Sequence, residues 1–63
     1  MTETRKAWLL ARIEGAARDV LACVARLREG GGADDVWILL ESARDAHTDA
    51  LELSLSDAGE AAA

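Results

Sequence analysis

The chain has 63 residues, 51% of them hydrophobic, with no proline, one cysteine and a formal net charge of −5. A chain this short makes one small domain and buries only about 60% of its unfolded surface. The lone cysteine excludes an internal disulfide and a cysteine-built metal cluster; the acidic balance argues against nucleic acid or an anionic membrane as partner; and no apolar run approaches about 18 residues, which argues against a signal peptide or membrane span.

The first predicted element is a helix over about residues 4–29. Thr2 or Thr4 is suited to cap it and Glu3 suits its positive end, whereas Arg5 and Lys6 do not, so this end is expected to fray. Leu10, Ile13, Val20, Val24 and Leu27, with Ala17 filling the missing step, recur at alternating spacings of three and four, the pattern of a packed coiled-coil-like seam. Arg26 and Arg28 suit the negative end of the helix dipole.

Trp8 lies off that seam, in line with Gly15 and Ala22 and beside Ala11. A large aromatic beside a small-residue groove reads as a second docking surface. The plainer reading is an exposed Trp shielded by the Arg12 stem, next to a tolerated glycine.

Gly30-Gly31-Gly32 ends the helix, because each glycine costs a helix interior about 1 kcal/mol relative to Ala. Gly30 is placed to adopt the left-handed cap conformation, and Asp34 and Asp35 supply capping oxygens and negative charge for a new helix start. No strand precedes the glycines, so they form a turn over residues 30–33 rather than a phosphate cradle.

The second predicted helix runs from about 35 to 56. Val36, Leu39, Leu40, Ala43, Ala46, Ala50, Leu51 and Leu53 define a broad apolar arc, with Trp37 and Leu55 on its edge. Trp37 and Leu55 read as interface anchors, or Trp37 as a cover for the open end of the hairpin. The opposite face carries Glu41, Asp45, Asp49 and Glu52, a solvated acidic stripe. Residues 51–56 alternate with period two, as a strand would, but a lone strand has nothing to pair with and the segment is assigned to the helix. Residues 57–63 have few apolar anchors and are expected to be a disordered tail.

The predicted fold is therefore all-α, one antiparallel helical hairpin over residues 1–56. Residues 1–29 carry a net charge of +2 and residues 30–63 a net of −7, so the two halves attract. Leu10, Ile13, Val20, Val24, Leu27, Val36, Leu39, Leu40 and Ala43 form its expected seam. The apolar arc exceeds what one neighbouring helix covers, so a protein partner is expected, either a heteromeric helical protein or a second copy completing a four-helix bundle. Trp8, Ala11, Gly15, Ala22, Trp37, Leu51 and Leu55 are the expected partner-binding residues. His47 reads as a packed residue, and it lies about two turns from Cys23, so the two do not share a metal or catalytic site. With no nucleophile–base pair or converging carboxylates, no enzyme activity, cofactor or metal is expected. The single thiol fits a reducing compartment, which points to the cytoplasm.

Over Val20–Leu53, Cys23, Leu27, Gly30, Ala33, the acidic pair, Val36, Leu39 and Ala43-Arg44 with the leucine-rich end resemble the small YscE/PscE-like co-chaperones of bacterial type III secretion. That resemblance implies a helical hairpin that pairs with a helical-repeat chaperone to hold the needle subunit unpolymerised in the cytoplasm. Glu41-Ser42 with Asp45 is similar to the Rop-like RNA-binding hairpins. The basic face such a function needs holds Leu9, Ile13, Ala17 and Val24 here. Arg12-Ile13-Glu14-Gly15 with Arg18 is similar to the CsoR-type copper-sensing repressors, but Ala33 stands where their second-helix cysteine is expected.

Overall fold

A computed structural model describes the backbone of residues 1–62 and the side chains of residues 1–56. The chain is two helices, α1 (Glu3–Arg28) and α2 (Ala33–Ala62), folded back on each other as an all-α antiparallel hairpin.

α1 begins where Thr2 leaves the extended conformation, and the Arg5 backbone N–H donates to Thr2 Oγ1 at 3.1 Å. It ends in a Schellman closure at two glycines that do different work. Gly30 takes φ +97°, in the left-handed region, and its N–H donates to the Leu27 carbonyl. The Gly31 N–H donates to the Arg26 carbonyl at 2.8 Å, and a Cβ on Gly31 would sit 2.9 Å from that same oxygen.

α2 starts two residues earlier than expected. The Gly32 carbonyl accepts from the N–H groups of Asp35 and Val36, so Gly32 occupies the cap position. The aspartates fall in the first turn, where their charge suits the helix dipole but neither is the capping residue. The helix also runs past the expected end at 56, including the period-two stretch 51–56, and backbone residues 57–62 of the expected tail are helical. Without proline the only local breaker there is Gly59, and its cost of about 1 kcal/mol does not outweigh an alanine-rich end. Ala63 lies outside the described residues.

Among the described residues, three ion pairs cross the hairpin and fix its register. Arg5 grips both carboxylate oxygens of Glu52 at 2.8 Å, Arg12 Nε meets Asp49 Oδ2 at 3.0 Å, and Arg26 Nε meets Asp35 Oδ1 at 2.6 Å. Between them runs a seam with strict alternation of four and three: Leu9, Ile13, Ala16, Val20, Cys23 and Leu27 on α1, and Asp35, Leu39, Ser42, Ala46, Asp49, Leu53 and Ser56 on α2. Leu9 and Cys23 are fully buried and Ala16 nearly so.

The expected seam needs correcting. Ile13, Val20, Val24, Leu27 and Leu39 are half-buried in or beside it, but Leu10, Val36, Leu40 and Ala43 are exposed. The rotation of α2 is set by the arginine–carboxylate pairs, which draw Asp35 and Asp49 inward and turn the leucine-rich arc out. The acidic stripe is likewise not wholly solvated, since Asp49 is buried and Glu52 half-buried.

Candidate interaction surface

Helical geometry gives the hairpin two unlike sides. Side chains three and four apart share a face, so rows repeating every seven residues flank the seam on either hand. On one side α1 presents Arg5, Arg12, Asp19 and Arg26, and α2 presents half-exposed Ile38 followed by Asp45 and Glu52. On the other side α1 presents Leu10, Ala17 and Val24, and α2 presents Val36, Ala43 and Ala50; the α1 row is charged at its first residue, Glu3, and the α2 row carries no charge from 36 to 50. In the register set by the ion pairs, Val24 lies level with Val36, Ala17 with Ala43 and Leu10 with Ala50, so these rows face the same way along the hairpin.

From this uncharged side the apolar surface continues around α2. Leu40 and exposed His47 form the next row, and Trp37, Arg44 and Leu51 the row behind, where the exposed arginine breaks the apolar surface. Val36, Leu40 and Leu51 are each about half exposed, and Trp37 is 63% exposed. Trp37 thus does not cover the open end of the hairpin. It borders a shallow depression of about 120 Å³ shared with Leu40, Glu41 and Arg44. His47 is exposed rather than packed, while Cys23 is buried, so they form no joint site.

Trp8 belongs to the charged side. The Arg5 and Arg12 guanidiniums lie over its ring, 4.3 and 4.8 Å from the centroid, and each also reaches across to a carboxylate of α2. The shielding expected from Arg12 is present, shared with Arg5. Gly15 and Ala22 are on the same exposed row, and Ala11 is exposed behind it. Nothing lies within 4 Å of where a Gly15 Cβ would be, so no other backbone approaches this glycine within the hairpin. Leu55, 71% exposed, projects from the far end of α2.

The electrostatics are those of a structural ladder. The Asp35 carboxylate, by its hydrogen bond and charge, holds the Arg26 guanidinium protonated above its usual range. Arg26 also donates to Cys23 Sγ at 3.2 Å, tying the turn to the seam. Arg18 pairs with Glu14 along α1, one turn away. Among the described residues no group of His, Cys, Asp or Glu is arranged to hold a metal ion, and no helix is long and apolar enough to cross a membrane.

Of the expected partner-binding residues, Trp37 and Leu51 border the apolar surface, whereas Trp8, Gly15 and Ala22 sit with the arginines. The residues that build the uncharged side, Leu10, Val36, Leu40 and Ala43, are those the sequence pattern assigned to the seam. Apolar spacing does not reveal the arginine ladder, although Arg5, Arg12 and Arg26 are separated by multiples of seven, as are Asp35 and Asp49. Comparison with protein families, curated proteins and solved structures gave no match to this chain. What defines it is the class of its fold: a two-helix antiparallel hairpin with one charged side and one apolar side.

Proposed function

We propose that this chain is a non-enzymatic protein-interaction module, and that its uncharged side completes a helical bundle with a protein partner. The observation that carries the reading is apolar side chain left at the surface: Leu10, Val36, Leu40 and Leu51 are each about half exposed and Trp37 is 63% exposed. Such surface is what association removes from water.

In a narrower form of the proposal the partner is a helical-repeat chaperone and the pair holds a secretion needle subunit in the bacterial cytoplasm. The resemblance over Val20–Leu53 supports it, as do the short hairpin, the turn at Gly30 and the acidic first turn of α2. Self-association into a homodimeric four-helix bundle is the rival occupant, and the alternating large and small residues of Leu10, Ala17 and Val24 opposite Ala50, Ala43 and Val36 suit it.

Thermal unfolding across a hundredfold dilution, with and without a candidate helical-repeat partner, tests the reading. Midpoints should rise with concentration or with partner, as mass action requires when association and folding are linked. A double variant, Val36→Ser with Leu40→Ser, should lose that rise while keeping the hairpin's helicity. A parent chain that stays monomeric, with a midpoint unmoved by dilution or partner, would refute the module.

A further inference from the structure

We infer that the charged side carries a binding groove for a basic side chain, lysine or arginine, presented by a protein partner. The groove has a volume of about 260 Å³ and is lined by Asp19, Asp45, Asp49, Arg12, Ser42 and the small residues Gly15 and Ala16. It lies where the arginine ladder skips a step. Along the α1 row, positions 5, 12 and 26 are arginines and each bonds a carboxylate of α2. Position 19 is aspartate instead, so this stretch of the hairpin faces three carboxylates with one guanidinium.

Ser42 supplies an independent sign of a missing ligand. It is nine-tenths buried in the seam, lines the groove, and its hydroxyl makes no hydrogen bond among the described residues. That oxygen is not sealed in the interior, since the described residues hold no fully buried polar side-chain atom without a partner. It is left facing the groove, able to accept one hydrogen bond from a donor placed there. Asp49 is nine-tenths buried as well, and one of its oxygens takes the Arg12 bond.

The ligand is therefore cationic and a hydrogen-bond donor. A bare metal ion fits poorly, because no three acidic groups of the described residues converge as a metal requires. A guanidinium or ammonium on a flexible stem carries several donors and spans separated carboxylates. Gly15 and Ala16 leave room for the stem, and no atom stands within 4 Å of a Cβ at Gly15. The groove lies across the hairpin from the apolar side, so the inference stands independently of the function proposed above.

The test is fluorescence anisotropy of the full chain with a labelled hexa-arginine peptide at low ionic strength. Asp19→Asn and Asp45→Asn should each weaken binding about threefold or more, the scale of one partly exposed ion pair. Glu14→Gln makes the same charge change on the opposite side of α1 and should leave affinity nearly unchanged. Asp19→Arg would fill the gap in the ladder from within the chain, so it should raise the thermal midpoint and suppress peptide binding. Loss equal to that of the groove variants in Glu14→Gln would mean general charge attraction and overturn the inference. So would parental peptide affinity in a folded Asp19→Arg chain. Should Asp19→Arg fail to fold, by circular dichroism, the comparison of Asp45→Asn with Glu14→Gln decides the matter.

Discussion

Two adjacent leucines separate the observed seam from its nearest competitor. Leu9 is fully buried and Leu10 is 46% exposed, although apolar spacing alone favours Leu10. Truncating a buried leucine costs about 2–5 kcal/mol, less where the structure collapses around the gap. The Cα trace measures only 50 × 16 × 13 Å, one layer of two helices, so such collapse is easy and Leu9→Ala should cost about 2–3 kcal/mol. Leu10→Ala removes a side chain about half withdrawn from water, worth about 1 kcal/mol against the 1.5–3 of full burial. A chain of this length has only about 3–9 kcal/mol of stability in all, so the first variant approaches unfolding and the second does not. Urea unfolding followed by far-UV circular dichroism at high dilution isolates these values. On the self-association reading, Leu10→Ala should lose more at high concentration. A larger loss from Leu10→Ala than from Leu9→Ala at high dilution would mean that α1 is rotated by one residue, and equal losses would remove the distinction between the two positions; either result refutes the seam.

Two further expectations concern the turn and the ladder. Gly31→Ala should destabilise by about 1 kcal/mol or more, because its Cβ meets the Arg26 carbonyl, whereas Gly32→Ser should gain a few tenths by placing a capping hydroxyl at the start of α2. Thermal melts of the pair distinguish this from a general intolerance of the turn, which would lower both. Arg12→Ala should cost about 1–3 kcal/mol by leaving Asp49 buried with an unmet charge, and Arg5→Ala under about 1, since its partner Glu52 is only half-buried and can be hydrated. Similar losses measured by chemical denaturation would mean that Asp49 is as well hydrated as Glu52.

The hairpin was legible because its signals are local. Periodicity marks the helices, and the glycine run can only interrupt them. The rotation of each helix was not legible from apolar content. On α1 the competing registers share Ile13, Val20 and Leu27, and they differ only at the adjacent pairs Leu9/Leu10, Ala16/Ala17 and Cys23/Val24, whose members are apolar alike. On α2 apolar patterning points the wrong way, because the row repeating from Asp35 through Ser42, Asp49 and Ser56 is polar throughout and yet faces α1. Only charge matching at multiples of seven carries the correct register. The end of α2 was missed for another reason: helix persists in an alanine-rich segment without needing apolar anchors.

A polar row at the seam has consequences for the rest of the molecule. Ion pairs of this kind contribute little net stability when exposed, but mismatching them in another register leaves carboxylates buried without partners, so they select one alignment more than they strengthen it. The hairpin's own cohesion then falls on Leu9, Ala16 and Cys23 and the half-buried residues beside them. Meanwhile Val36, Leu40 and Leu51, which would have joined an apolar core had α2 turned inward, are kept at the surface by the arginine–carboxylate ladder, beside exposed Leu10 of α1. The charges that hold α1 to α2 are thus also what leave the apolar side without a neighbour, and a partner covering it would supply the hydrophobic stabilisation that the seam forgoes. Alignment comes from inside the chain, and on the proposed reading much of the remaining stability comes from outside it.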